Sequence, residues 1–166
     1  LHGFQLWINM PAKYKMNKPE YIYINAKQMQ IHRDNDKKIK VIAGKFENTE
    51  GPVRGHNIEP LYFDIELEKD KEFNFEISST HNSLIYLIDG EIKVGDKGHQ
   101  QAKNSTLIIL TKGKKLKVYS ITKAKFLLIS GKPIGETIAR GGPFVMNTKD
   151  EILKAVQDYH NGTFVK

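Results

Sequence analysis

The sequence predicts an all-β fold, a jelly-roll β-barrel that is followed by one C-terminal α-helix. Three observations support this fold class. Short segments that alternate apolar and polar residues recur from residue 61 onward, turn residues separate them, and helical periodicity is absent before residue 148. A two-sheet jelly roll is the arrangement we expect, because it buries strand edges that an open antiparallel sheet would expose.

The clearest turn in the sequence is Asp89-Gly90. It separates two alternating segments and predicts a tight two-residue hairpin, in which glycine accepts the positive φ that such a turn requires. Asp34-Asn-Asp36 is a second predicted turn. The predicted strands are Phe4–Asn9, Tyr21–Ile24, Gln28–His32, Lys38–Ala43, Leu61–Leu67, Glu72–Ile77, Ser83–Ile88, Glu91–Val94, Ser105–Leu110, Lys114–Tyr119 and Phe126–Ser130.

Two segments lack a strand pattern. Ala12–Pro19 is rich in lysine and ends on a proline, so we expect an exposed connection. Glu47–Pro60 is the longest irregular stretch, and a loop of this length in a small β domain is often functional or mobile. His56 lies in this loop and is a candidate site residue, although most lone loop histidines are simply solvated.

Thr148–His160 is predicted to form the C-terminal helix. Thr148 and Glu151 have the spacing of a capping box, and Gly162 supplies the stop. The helix carries an apolar stripe that must pack against either the barrel or a neighbouring domain. The stripe consists of Ile152, Val156 and Tyr159, with Leu153 and Ala155 beside them.

Composition limits the class of protein. The 166 residues fit one domain, 39% of them are hydrophobic, and no apolar run approaches the length of a membrane span. Cysteine is absent, which excludes disulfides, thiolate metal sites and cysteine nucleophiles. The first residues lack the pattern of a secretory signal. We therefore expect no membrane association and a cytoplasmic location, or a nuclear one in a eukaryote.

The net charge of +7 raises the question of a polyanionic partner. Most basic residues are lysines, which are scattered or lie in short runs beside predicted turns, where solvated charge is expected. Base-stacking aromatic residues interleaved with arginine on one strand are missing. The sequence therefore disfavours direct nucleic-acid binding.

The histidines do not form an evident metal or catalytic motif. No two of the six have the i, i+2 or i, i+4 spacing of a metal site, and no nucleophile elbow or phosphate-binding glycine loop is present. His81 is the most interesting, because it comes just before a predicted strand near the mouth of the barrel. The simpler alternative is a turn residue whose imidazole bonds the local backbone, with Asn82 shaping the turn.

The stretch His81–Gly95 resembles the first motif of the cupin family, from the end of its ligand-bearing strand into the next strand. In metal-binding cupins a His-x-His pair and a Glu precede the turn glycine, and counting back from Gly90 places Ser83 at the Glu position. The two His positions fall on Ile77 and Ser79, or on Glu76 and Ser78 with the alternative spacing. The likeness therefore implies the scaffold without a metal site.

Three further segments extend over almost the whole chain: the opening GFQLWINMPAKYKM, the central GHNIEPLYFDIELEKDKEFNFEISSTHNSLIYLIDGEIKVG and the closing GKPIGETIARGGPFVMNTKDEILKAVQDYHNG. Together they resemble the C-terminal half of the pirin family, most specifically in GPFVMNT. This resemblance implies a bicupin in which the N-terminal cupin carries iron or a similar metal on three His and one Glu. It implies a metal-free C-terminal cupin, so that no ligand of the family falls on this chain.

The resemblance implies that this chain packs on and shapes a metal-binding N-terminal cupin, and Leu1 in place of Met agrees with a fragment. The family has been associated with quercetin-type dioxygenase activity and with nuclear transcriptional co-regulation in eukaryotes. One alternative is therefore that the whole protein is a metal-dependent quercetin 2,3-dioxygenase. Another is a stand-alone cupin that binds a small ligand in its interior. We expect no catalytic residue and no cofactor in the chain itself.

We expect three regions in the chain. Residues 1–11 form a strand at the seam with the N-terminal cupin, residues 12–147 form the barrel, and residues 148–166 form the helix and tail. The expected partner is the N-terminal half or another copy of the chain. The candidate pocket or interface residues are Trp7, His56, His81, Asn82 and Phe144.

Overall fold

The computed structural model describes residues 3–54, 58–96 and 100–165. It divides into two compact units. We call Ile24–Pro133 the β unit, and Leu1–Tyr23 together with Ile134–Lys166 the terminal unit. These boundaries differ from the three predicted regions, because residues 12–23 and 134–147, which we expected in the barrel, group with the ends of the chain and not with the β unit.

The β unit contains two large antiparallel sheets and one short two-stranded pair. In chain order the strands of the protein are β1 (Gln30–Arg33), β2 (Lys37–Ala43), β3 (Lys45–Phe46), β4 (Thr49–Glu50), β5 (Leu61–Leu67), β6 (Glu72–Glu76), β7 (Asn82–Asp89), β8 (Glu91–Val94), β9 (Gln100–Lys103), β10 (Thr106–Ile109), β11 (Lys115–Ser120), β12 (Ala124–Gly131), β13 (Ala139–Gly141) and β14 (Phe144–Met146). The larger sheet has the order β1-β2-β5-β12-β7-β10, and the smaller has the order β6-β11-β8-β9.

The core lies between the two sheets. Alternate residues of β2, β5 and β7 are buried, as expected for strands with one face turned inward. Phe73 of the smaller sheet packs edge-on against Phe126 of the larger, with ring centroids 6.0 Å apart, and both are fully buried. Burial of such a side chain stabilises the fold by roughly 1.5–3 kcal/mol. The core therefore joins the two sheets face to face.

The prediction of a jelly-roll β-barrel is confirmed in part: the jelly roll is present, but the described sheets do not close into a barrel. From β5 to β8 the chain alternates between the larger and the smaller sheet, which is a jelly-roll course. A barrel closes only when the edge strands of the two sheets pair. Within the described residues no ladder joins β1 or β10 to β6 or β9. The β unit is therefore a two-sheet sandwich of the jelly-roll type, held together by side-chain packing between the sheets.

The predicted hairpin at Asp89-Gly90 is wrong. β7 pairs with β10 and β12, whereas β8 pairs with β9 and β11, so the two strands lie in different sheets. Gly90 has a φ of +90° and forms the corner between the sheets. A Cβ atom there would collide with the carbonyl oxygen of Lys123 and lie 2.7 Å from Cα of Ala124. Residue 90 therefore has to be glycine for two reasons: its φ is positive, and the backbone of Lys123 and Ala124 leaves no room for a side chain.

The predicted turn at Asp34 is confirmed and joins β1 to β2. Asp34 Oδ1 accepts hydrogen bonds from the backbone N–H groups of Asp36 and Lys37, both at 2.8 Å. The ammonium group of Lys37 lies 2.7 Å from Asp34 Oδ2. The pKa of Asp34 lies well below its ordinary value, mainly because the Lys37 side chain bonds the carboxylate, and the two backbone hydrogen bonds add to this effect.

Other strand predictions differ from the structure in two ways. Phe4–Asn9 and Tyr21–Ile24 form no strand in the described residues, because β-prone side chains make a strand only where a partner strand is available. Conversely, β9 was missed, since its sequence is polar and only one of its four residues is buried. The pairs β3–β4 and β13–β14 were also missed, because strands of two or three residues are too short to show a period.

The predicted C-terminal helix is confirmed as α1 (Lys149–His160). Thr148 Oγ1 accepts the backbone N–H of Glu151 at 3.2 Å, and Glu151 Oε2 accepts that of Thr148 at 2.8 Å, which completes the capping box. At the other end the N–H groups of Gly162 and Thr163 bond the carbonyls of Tyr159 and Asp158, which is a Schellman motif. Local sequence therefore determines both ends of this helix.

The helix stripe packs inside the terminal unit. A Cβ atom on Gly141 of β13 would lie 2.5 Å from Cγ2 of Ile152, so the helix approaches the β13–β14 hairpin closely. Ala155 is the buried residue of the helix, whereas Leu153 is exposed. A short 3₁₀-helix, Ala12–Tyr14, interrupts the predicted connection near the N-terminus. In the described residues no helix has both the length and the apolarity that crossing a bilayer requires.

The two glycines that flank β8 provide a matched test of the corner. Gly90 and Gly95 both have positive φ, +90° and +94°, but only Gly90 has atoms within 4 Å of a built Cβ. Alanine at either position should cost roughly 1–3 kcal/mol for the left-handed backbone, and overpacking should add roughly 1–3 kcal/mol at Gly90 alone. Urea unfolding should therefore rank Gly90→Ala as clearly less stable than Gly95→Ala. Equal midpoints for the two variants would contradict the corner assignment.

Candidate functional site

A cavity of about 130 Å³ opens at one end of the β unit, where residues from both sheets line it. The larger sheet contributes Ser83 near the start of β7, with His81 just before it. The smaller sheet contributes Val94 at the end of β8 and Leu116 of β11. The cavity therefore lies at an end of the sandwich, where the core gives way to solvent.

Buried polar side chains form one wall of this cavity. Ser83 and Ser130 stand opposite each other in the β7–β12 ladder, and their hydroxyl oxygens lie 2.8 Å apart. Ser130 Oγ is also 3.3 Å from Nδ1 of His81. The other ring nitrogen of His81, Nε2, lies 3.6 Å from Oε2 of Glu59. A continuous line of polar contacts thus runs from the exposed Glu59 through two buried residues to Ser83 at the cavity.

Lys112 organises the mouth of the cavity. Its ammonium group donates to three oxygens: the carbonyls of Thr80 at 3.2 Å and His81 at 2.8 Å, and Oδ1 of Asn82 at 2.8 Å. These three acceptors are neutral, and no ion pair involves Lys112 in the part of the chain that the structure describes. The side chain is therefore fixed in place while its positive charge stays uncompensated.

Lysines surround the same opening. Lys115 and Lys117 also line the cavity, and Lys117 forms an ion pair with Glu72 at 3.0 Å. Among the described residues, no Asp or Glu lines the cavity. The opening is therefore positively charged at neutral pH, because it has cationic groups that nearby carboxylates do not fully balance.

The residues at the cupin metal positions do not fit a metal. Ile77 is apolar and buried, Ser79 is exposed, and Ser83 is engaged with Ser130. With the alternative spacing the two His positions fall on Glu76 and Ser78, which are both exposed and offer one carboxylate. A transition-metal site needs several imidazole, thiolate or carboxylate donors that converge on one point. Residues 3–54, 58–96 and 100–165 contain no group of three or more such side chains. This part of the chain therefore offers no cupin-type metal centre.

The structure brings together two of the five predicted site residues. His81 and Asn82 meet at Lys112, and the imidazole of His81 bonds a distant strand, not the local backbone expected for a simple turn residue. Trp7 and Phe144 belong to the terminal unit, where Trp7 is exposed. His56 lies outside the described residues.

Phe144 has a local packing role in the terminal unit. Its ring centroid lies 5.9 Å from that of Tyr159 and 5.0 Å from that of Phe164, so it ties β14 to the end of the helix. Two residues of the site were missed from the sequence: Lys112, which lines the cavity, and Ser130, which lies behind Ser83 and His81. Ser130 gains its role only through its register with Ser83, and the lysine run that begins at Lys112 resembles an ordinary solvated turn.

Comparisons with known proteins identify the family. The model of the pirin C-terminal cupin domain matches residues 62–165. A pirin-like protein of Caulobacter vibrioides is 33% identical over an alignment of 166 positions, which covers 99% of this chain and 59% of that protein. A pirin-like protein of Solanum lycopersicum is 33% identical over an alignment of 168 positions, which covers 96% of this chain and 55% of that protein.

Solved structures agree with this assignment. A crystal structure of quercetin 2,3-dioxygenase from Acinetobacter baumannii matches with a TM-score of 0.86 and 30% identity, over 95% of this chain and 55% of that one. A protein of Geobacillus kaustophilus matches with a TM-score of 0.71 at 21% identity, over 78% of this chain and 53% of that one, which supports the fold alone. The chain spans between 55% and 59% of the two pirin-like relatives. It belongs to the pirin family and corresponds to the C-terminal half of its members.

Proposed function

We propose that this chain is the metal-free C-terminal cupin of a pirin-like protein, and that it packs on and shapes an N-terminal cupin that carries the metal. The match to the C-terminal cupin domain supports this role. More than two fifths of each pirin-like relative lies beyond the matched region, which leaves room for a second domain. Iron or a similar metal would belong to that second domain, because residues 3–54, 58–96 and 100–165 of this chain lack a fitting set of ligands.

The observation that carries the proposal is the apolar surface of the N-terminal segment. Trp7 is 69% exposed and Ile8 53% exposed, and Leu6 and Met10 also expose much of their side chains. A second run, Tyr21–Tyr23, is still more exposed. Contiguous apolar surface of this kind marks an interaction site, and each large side chain removed from water contributes roughly 1.5–3 kcal/mol.

The N-terminal cupin is the partner that fits this surface. Residues 4–10 lie at the start of the chain, so a domain that precedes them in the same polypeptide would be tethered beside them. Tethering makes the effective concentration of such a partner high, which favours an intramolecular contact over association with other molecules. Without that domain, we expect the same surface to pair with another copy of the chain, because a β-prone apolar segment is a template for strand pairing.

Trp7 provides a direct test of this surface. The chain contains one tryptophan, so fluorescence reports on this residue alone. We expect light scattering to show association of the isolated chain as its concentration rises, with a shift of tryptophan emission to shorter wavelength. Trp7→Ala should weaken association about thirtyfold, because a buried aromatic anchor is typically worth about 2 kcal/mol.

The matched control for Trp7→Ala is Ile109→Ala, which removes another exposed apolar side chain, 77% exposed, from the edge strand β10. This control should leave association unchanged. A parent chain that stays monomeric at high micromolar concentration, with the emission of a solvated indole, would refute the proposed interface. Equal weakening by the two variants would show that association is not specific to the N-terminal segment.

A second candidate function is that the whole protein is a metal-dependent quercetin 2,3-dioxygenase, in which this chain is a non-catalytic half. The observation that favours it is the TM-score of 0.86 at 30% identity to the structure of quercetin 2,3-dioxygenase from A. baumannii. In this case the present residues shape a reaction centre in the other domain and exclude water from it, since they do not supply metal ligands themselves.

Oxygen uptake in the presence of quercetin tests this second candidate. We expect no uptake by the present chain, with or without added iron, because the described residues lack a set of metal ligands. A protein produced with its N-terminal cupin should consume oxygen, and a chelator should abolish the activity. Turnover by the present chain alone would contradict the assignment of the reaction centre to the N-terminal cupin. A two-domain protein that binds metal but is inactive would rule out the dioxygenase candidate.

A further inference from the structure

The cavity at the end of the β unit has the size of a small organic ligand. Its volume is about 130 Å³. A dry cavity of about 150 Å³ accommodates a molecule of roughly six non-hydrogen atoms, such as benzene. The opening therefore suits a compact ligand, and it is independent of the apolar surface on which the proposed function rests.

One side of the cavity is apolar. Ile77, Val94, Leu110 and Leu116 line it, and three of them are buried members of the core while Leu110 packs against that core. These side chains are held by the fold, so the apolar wall is already formed before any ligand arrives. A short hydrocarbon body would gain from leaving water at this wall.

Lysines add positive charge to the lining of the cavity. Lys112 is fixed by three neutral oxygens and has no carboxylate partner, and Lys115 forms no ion pair in the described residues. Lys117 is balanced by Glu72. Both lysines are exposed, so solvent screens each charge, but two cations at one opening that no carboxylate lines still favour an anion there.

The buried serines supply a donor that is independent of the lysines. Ser83 and His81 are 9% and 7% exposed, and both line the cavity. When Nδ1 of His81 carries its hydrogen, it can donate to Ser130, and Ser130 can then donate to Ser83. Because each hydroxyl has one hydrogen, this arrangement leaves that of Ser83 free to donate to a ligand oxygen.

We propose that this cavity binds a small carboxylate with a short apolar body. The carboxylate lies on the side of Lys115 and Lys112 and accepts a hydrogen bond from Ser83, while the body packs against the Ile77 and Leu116 wall. This site gives the C-terminal cupin a ligand of its own.

An NMR titration of the isotopically labelled chain with butyrate tests the proposal. Butyrate has six non-hydrogen atoms, butyramide is its neutral counterpart of the same shape, and inorganic phosphate is an anion without an apolar body. We expect butyrate to shift the amide signals of residues 77–83 and 110–117 in a saturable way, with an affinity about tenfold higher than that of butyramide or phosphate. A tenfold difference corresponds to about 1.4 kcal/mol.

Two neighbouring lysines provide matched variants. Lys115 lines the cavity and Lys114 does not, although both are exposed and adjacent in the chain. Lys115→Gln should weaken butyrate binding about fivefold to tenfold, whereas Lys114→Gln should change it less than about twofold, because a charge contributes mainly where it faces the ligand. Unchanged thermal unfolding of the two variants shows that both remain folded.

Three outcomes would overturn the inference. If no amide near the cavity shifts in a saturable way, the cavity is not a ligand site. If butyramide or phosphate binds as tightly as butyrate, recognition of a carboxylate with an apolar body is wrong. If Lys114→Gln weakens binding as much as Lys115→Gln, the effect belongs to the general surface charge and not to the cavity.

Discussion

Burial of apolar side chains between two sheets is the constraint on which the rest of this structure depends. Phe73 and Phe126 meet across the gap, and neither could be buried by one sheet alone. To place inward-facing residues on both sides, the chain must cross from one sheet to the other after successive strands. Gly90 makes one such crossing possible, because no side chain fits against Lys123 at that corner. The cavity follows from the same geometry, since the packed core stops where strands of both sheets end.

The sequence was most informative where burial is regular along one strand. The predicted bounds of Leu61–Leu67 equal those of β5, because every second residue faces the core. Local pattern could not decide pairing partners, so Asp89-Gly90 was interpreted as a hairpin although its flanking strands belong to different sheets. The local pattern also gave a wrong prediction at Phe4–Asn9, where β-prone residues have no partner strand in the described chain. It missed the polar strand β9 as well. The contact between Ser83 and Ser130 depends on register between strands 47 residues apart, which no local signal contains.

The same positions explain how one scaffold can serve different roles. Where a metal-binding cupin has ligands, this chain has Ile77 and Ser83, and the space beside them is a small cavity with an apolar wall and a cationic mouth. Replacement of ligands by an aliphatic residue and hydroxyl groups removes the donors that a transition metal needs while leaving the fold intact. Family membership alone therefore does not transfer a metal-dependent activity to this half, and its contribution has to be sought in packing and in small-molecule binding.

The central claim of this account is that the C-terminal cupin binds no metal at the position its fold provides. Manganese(II) tests it directly, because this ion broadens the NMR signals of nuclei close to where it binds. On addition of one equivalent to the labelled chain, the account predicts no selective loss of the amide signals of residues 77–83 and of Ser130. Saturable loss of the signals around His81 at one manganese ion per chain would contradict it.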